Sequence, residues 1–377
     1  MDTAVKTPRR TPVAKLVLQL AGGMVVGAVV GAAIAHFAMS SLPKLELGVA
    51  GKIGLAAAVV LAFPLLVGVH ELGHLLGGVA SGFRVLLFMV GPLRVEREGE
   101  RFRVRLAFKG ALFGGLAACA PTDTHDLRRR TLWLIAGGPL ASFAAGVLLL
   151  VLRAVVDAPP VVDILLLAAG VISLLIWLAS AIPSTAAGFY SDGARIIRLV
   201  RGGADVEREV ACLALIGLSM GGARPRDWSP ELVARAAAGE PDTLFGVAGR
   251  MYAHAHEMDA GRVDAARAHV DAALAAAEIL PAQARPGLML QAAFFAARVD
   301  RDPARAREHL EHAAGGVMLQ AHSRPLVEAA IAWAEGDRAR AAERLDAAEA
   351  ARGDASDPGI ALMAADQIAG LRREIAA

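Results

Sequence analysis

Four apolar runs, residues 16–39, 53–80, 132–152 and 164–182, carry no Lys or Arg in their interiors. Each is long enough to cross a bilayer, which takes about 20 mostly apolar residues. Hydrocarbon offers no water to bond exposed backbone groups, so such runs must be helices. Lys6, Arg9, Arg10 and Lys15 precede the first run as in a signal peptide, but it outruns the roughly 7 to 15 residues of a signal core and reads as a span. After about residue 202 the apolar runs stop and Ala/Arg/Glu/Asp-rich helical sequence takes over. The chain therefore reads as an N-terminal tail and first span (1–48), a membrane core (49–202) and a helical region (203–377).

Counting Lys and Arg in the short connections orients the spans. The tail, the 81–130 connection and the stretch after the fourth span carry 17; the opposite side carries 3, Lys44, Lys52 and Arg153. This places both termini and the helical region in the cytoplasm, with the spans in the plasma (inner) membrane. The 39 Lys+Arg nearly balance the 37 Asp+Glu, so no basic excess points to nucleic acid. Cys119 and Cys212 lie far apart with no CxxC spacing, and read as small hydrophobes.

Within 83–108 the pattern changes. Arg101-Phe102-Arg103-Val104-Arg105-Leu106 alternates with period two, and Glu98-Gly99-Glu100 supplies a turn, which predicts a β-hairpin at the membrane surface. Beyond residue 225, segments beginning at Gly261, Asp302 and Gly336 resemble one another. Taking Val270, Leu310 and Leu345 as equivalent gives offsets of about 35 to 40, near the tetratricopeptide period of about 34. Stacked helix pairs of this kind bind a peptide or protein partner; a plain bundle is the competing reading. The expected fold is an all-α polytopic membrane protein of about four spans, with a membrane-associated hairpin and a tetratricopeptide-like cytosolic region.

The second span ends in His70-Glu71-Leu72-Gly73-His74, an HExxH. Histidines at i and i+4 share one helix face and can ligate one zinc ion, with Glu71 beside them to take the proton of an attacking water. Chance matches to this pattern occur, but ionisable groups in an apolar span are costly unless paired or ligated. His70 lies 17 residues into the span, about 25 Å along a helix in a layer of roughly 30 Å, which puts the site inside the bilayer near its cytoplasmic face. A catalytic zinc takes a third protein ligand. The fourth span runs inward and breaks at Pro183, and Ser191-Asp192-Gly193 follows near that face. Asp192 is the choice, with Gly193 allowing close backbone approach. Asp123, His125 and Asp126 are competitors on the same side; Asp157 and Asp163 are on the other.

These residues, together with Gly137-Gly138-Pro139-Leu140-Ala141-Ser142 in the third span, resemble the site-2 protease family of intramembrane zinc metalloproteases over roughly residues 50 to 200. The resemblance implies zinc held by His70, His74 and Asp192, with Glu71 as general base, and a membrane-associated hairpin after the HExxH span. It also implies a transmembrane protein as substrate, cut in or next to its span during regulated intramembrane proteolysis. The family often has Asn where this chain has Ser142 and Ser180, and uses them to hold substrate or the developing oxyanion. That role then falls to Ser142 and Ser180, or to Ser184 and Thr185. The segment from Pro183 to Asp192 is longer than the common pattern. Two other readings compete: a catalytically silent scaffold working through its helical region, which needs neither Glu71 nor metal, and a proton or metal carrier using the same buried groups, for which four spans without an inverted repeat are a poor match.

Overall fold

The computed structural model describes residues 47–98, 101–106, 114–186, 189–315, 319–353 and 355–377. The first apolar run, 16–39, and its basic flank lie outside the described residues, as do Gly99, Glu100, Lys109 and Gly188. Contacts divide the described chain into two units: the residues up to Phe63 with Ala145–Leu174, and Pro64–Ala144 with Leu175–Ala377.

Among the described residues three helices are long and apolar enough to cross a membrane: α1 (Val49–Ala80), α2 (Leu127–Val155) and α3 (Pro160–Ala181). Their outward faces are apolar. Leu61, Leu65, Leu76, Leu140 and Leu148 are all more than half exposed, an arrangement suited to lipid rather than water. In the first unit Gly146 and Gly170 let α2 and α3 approach; a Cβ on Gly146 would meet Leu174 at 2.7 Å, and one on Gly170 would meet Leu150 at 2.9 Å. Arg153 closes this end with a two-pronged ion pair to Asp163, at 2.9 and 3.1 Å.

In the second unit, α1 leads into a four-stranded antiparallel sheet in the order β3-β2-β1-β4. The strands are β1 (Phe83–Val90), β2 (Leu93–Glu98), β3 (Arg101–Leu106) and β4 (Gly115–Pro121). The expected hairpin is present as β2 and β3, paired from Leu93 with Leu106 to Glu98 with Arg101, and the sheet extends beyond it. β1 is an apolar run that buries Leu86 and Leu87 against Ala120 and Met220. β3 is exposed along its length; its Phe102, Val104 and Leu106 are each more than half exposed, with the Arg97 guanidinium over the Phe102 ring at 5.6 Å.

Two short strands, β5 (Thr185–Ala186) and β6 (Phe189–Tyr190), pair after α3 and account for the long spacing between Pro183 and Asp192. α4 (Asp192–Arg201) follows. Arg128 donates to the carbonyls of Leu199 and Val200 at its C-terminal end, at 2.6 and 2.7 Å, where the helix dipole favours a cation. α5 (Ala204–Met220) buries Ala211, Cys212 and Leu215 against Trp228, Val233 of α6 (Pro230–Ala236), and Ala253.

The remaining helices are α7 (Leu244–Asp259), α8 (Val263–Ala275), α9 (Arg285–Arg298), α10 (Pro303–Glu311), α11 (Ser323–Ala334), α12 (Arg338–Arg352) and α13 (Pro358–Ala376). The three similar sequence segments fall at the starts of α8, α10 and α12. Asp302 and Asp337 cap two of them, each accepting a backbone N–H at 3.0 Å, which explains the recurring Asp by local chemistry.

His322, only 1% exposed at the start of α11, is pushed down to about 4 by burial and then by Arg352. The unfolded chain, with His near 6.5, takes up that proton first. Stability contributed by the neutral ring is therefore lost as pH falls from about 6.5 toward 4, at up to about 1.4 kcal/mol per pH unit. Thermal melts of the full chain followed by circular dichroism should show the helical transition dropping from pH 7 to pH 5. The drop should be smaller in His322→Leu; an equal drop in both would show that His322 does not contribute.

Candidate metal centre

His70 and His74 lie one turn apart on α1, and Asp192 opens α4, 122 positions from His70 in sequence. Their donor atoms converge. Asp192 Oδ2 is 3.2 Å from His70 Nε2 and 3.5 Å from His74 Nε2, and the two Nε2 atoms are 3.2 Å apart. One ligand atom from each residue lies within 4.8 Å of the others, and this is the one such group among the described residues.

The far side of each ring is held. His74 Nδ1 donates to the Leu134 carbonyl at 3.0 Å, which fixes the proton on Nδ1 and leaves the Nε2 lone pair facing the cluster. His70 Nδ1 is 3.0 Å from the Ser142 hydroxyl, and Ser142 is completely buried. Metal-binding histidines characteristically use their second nitrogen in this way. Burial works to raise the Asp192 carboxyl, but the adjacent His70 and His74 outweigh it and hold the group at about 2, ionised and able to act as a ligand. Two neutral imidazole nitrogens and a carboxylate form a donor set suited to zinc, so the residues fit a zinc ion.

Glycines make the geometry possible. A Cβ on Gly138 would overlap the His74 ring, and one on Gly73 or Gly137 would overlap the backbone of the other. A Cβ on Gly193 would overlap the Ala181 carbonyl, which presses the start of α4 against the end of α3. Ser191 locks that junction: its hydroxyl donates to Ile182 O at 2.8 Å and accepts from Ser184 N–H at 3.0 Å and Ala194 N–H at 3.3 Å.

Glu71 faces β4. Gly115 abuts its carboxylate so closely that a Cβ would overlap it, and its carboxylate also meets the backbone of Ala117. The bonds Gly91 N–H to Gly114 O and Thr122 N–H to Gly82 O mark the two ends of the β1-β4 ladder. Antiparallel alternation then turns the backbone groups of Gly115, Ala117 and Cys119 away from β1. No described strand pairs with that edge.

The structure brings together His70, Glu71, His74, Asp192 and Ser142 of the sequence-derived candidates. The Ser180 hydroxyl instead donates to Trp177 O at 3.1 Å within its own helix. Among the competitors, Asp123 pairs with Arg130 at 2.6 Å and accepts the His125 N–H at 2.9 Å, and neither they nor Asp126 join the cluster. Burial pushes the Cys119 and Cys212 thiols up to about 12, which keeps both inert at neutral pH. The Leu134 carbonyl and the β4 edge were missed in sequence: a carbonyl carries no sequence signal, and β4 has no charge alternation.

A model of peptidase family M50 matches residues 58–321, more than half of the chain. No curated protein and no solved structure matches it.

Ser142→Ala should weaken zinc binding about 10- to 100-fold by freeing the His70 ring, with Ser142→Thr retaining most of the affinity. Competition with a chelator measures this; unchanged affinity in Ser142→Ala would remove Ser142 from the site.

Proposed function

The chain belongs to peptidase family M50, the site-2 protease family of membrane-embedded metalloproteases, and on that premise we propose that it is a zinc endopeptidase cutting membrane-protein substrates in or next to a transmembrane segment. The observation that carries this reading is the convergence of His70, His74 and Asp192 beside Glu71. Zinc held by His70, His74 and Asp192 would supply a Lewis acid that polarises a peptide carbonyl and makes water more acidic.

Glu71 accepts the proton of the attacking water and delivers it to the leaving amine nitrogen. The β4 edge, through Gly115 and Ala117, keeps the Glu71 side chain on the ligand side of α1. Ser142 and the Leu134 carbonyl orient the two imidazoles. The buried contact of Ser142 with His70 supports a positioning role for it over direct contact with substrate.

A substrate helix hides its carbonyls in its own hydrogen bonds, so it must be extended before attack. The outer edge of β4 offers backbone groups for that extended segment beside Glu71, by strand addition. The implied substrate is a single-pass membrane protein in regulated intramembrane proteolysis. The helix pairs from α7 onward are then a tetratricopeptide-like region that selects substrate or binds a regulatory partner. With 17 Lys and Arg on one side of the spans against 3 on the other, the termini and the site face the cytoplasm of an inner membrane.

The test compares zinc per chain and cleavage in detergent-purified wild type, His70→Ala, Asp192→Ala and Glu71→Gln, with tagged single-pass membrane proteins as substrates. Wild type should hold about one zinc, lost in the two ligand variants. Glu71→Gln should keep zinc and lose cleavage by at least about 100-fold. Folded wild type that takes up no supplied zinc would overturn the reading and favour the scaffold. Separately, Cys119→Pro removes an outward N–H other than the one that meets Glu71, without taking a bond from β1. It should lower kcat/KM more than about tenfold while leaving zinc in place; unchanged kinetics would exclude strand addition at β4.

A further inference from the structure

Helices α7, α9, α11 and α13 surround a partly open cavity of about 220 Å³, all within the second unit. Its wall is mainly apolar, built on Met251, Met258, Leu290, Phe294, Leu326 and Met363, and among the described residues it contains no Asp, Glu, Lys or Arg. An apolar void of about 150 Å³ already takes up benzene, so this one can accept an organic molecule.

Two polar atoms in the wall are without partners. Gln291 Oε1 and His322 Nδ1 are shielded from solvent and make no hydrogen bond among the described residues, and His322 is 1% exposed. Folded proteins satisfy nearly all such atoms, so each exception needs an explanation. The neighbouring Gln320 shows the ordinary solution: it accepts the Ser356 and Asp357 backbone N–H groups at 3.1 and 3.2 Å and donates to the Ser356 hydroxyl at 3.0 Å. Gln291 Oε1 can only accept, so what satisfies it must bring an O–H or N–H. A neutral imidazole can donate or accept, and burial keeps His322 neutral at physiological pH. With no ionised side chain in the wall to pair a charge, a charged ligand would be disfavoured.

We propose that this cavity binds a neutral, mainly apolar small molecule carrying one hydroxyl or amide group, whose polar end is held by Gln291 and His322. The site involves none of the metal-centre residues and stands whether or not the chain is a protease. Its ligand would give the helical region a chemical input of its own.

The probe is a diazirine-bearing octanol, photolysed with the full-length protein in detergent, the labelled peptides being mapped by mass spectrometry. Labelling should be saturable, competed by octanol and concentrated on peptides from α7, α9, α11 and α13. A diazirine-bearing octane lacking the hydroxyl should label these peptides about tenfold less, the equivalent of one hydrogen bond. Gln291→Leu, close in size and lacking the acceptor, should erase that difference, and Ala255→Trp should block labelling by filling the void. Circular dichroism melts of each variant verify folding, and if Ala255→Trp fails to fold, Gln291→Leu with the octane comparison still decides. Labelling confined to the apolar spans, or equal cavity labelling by both probes in the wild type, would overturn the proposal.

Discussion

The close approach of α1 and α2 at Gly73 and Gly137 is the contact on which the site depends. With backbone against backbone at that point, the Leu134 carbonyl comes within 3.0 Å of His74 Nδ1 and the Ser142 hydroxyl within 3.0 Å of His70 Nδ1. A larger residue at either glycine would separate the helices and take both orienting partners away together. In a membrane, helices gain little by burying apolar surface against each other, so association relies on close packing and polar contacts. The same glycines therefore pack the helices and set the geometry of the two imidazoles. Gly138 extends the device by making room for the His74 ring.

The third donor reaches this frame by a different route. Asp192 sits on a short helix whose position is set at both ends: Gly193 against Ala181 and the Ser191 hydroxyl bonds at the start, Arg128 on the Leu199 and Val200 carbonyls at the finish. Arg195 adds an ion pair to the buried Glu209 of α5 at 2.7 Å. A carboxylate next to two imidazoles must be placed to within a fraction of an ångström to act as a ligand, and a free loop would not do so. The two-stranded turn of β5 and β6 lengthens the connection without loosening it, because the fixed points lie on either side.

Much of this was legible in sequence, and what was missed has physical reasons. The spans follow from length and apolarity alone, and α1, α2 and α3 fall on three of the four expected runs. His70, Glu71 and His74 announce themselves by spacing, and Asp192 by depth and side. The sheet was half seen: Arg101 to Leu106 shows the strand period because its Arg residues fall on one face and its apolar residues on the other, whereas β1 is a mostly apolar run that cannot be told from a short helix, and β4, rich in Gly and Ala, has no pattern. Ser142 was found as a position, but its contact with His70 depends on how α1 and α2 cross. The cavity in the helical region was invisible, since its wall draws on four helices spread over more than a hundred residues.

The position of β4 connects the sheet to the chemistry. A strand paired on both sides would have no backbone groups free to meet Glu71, and an unpaired edge in a water-filled setting invites unwanted strand pairing. Here the edge lies beside α1, where Gly115 and Ala117 already engage the Glu71 carboxylate. Any extended segment added to that edge would therefore bring its own carbonyls next to Glu71 and the cluster of His70, His74 and Asp192. Strand addition and catalysis would share one geometric requirement, and Gly115 serves it because any side chain there would collide with the Glu71 carboxylate.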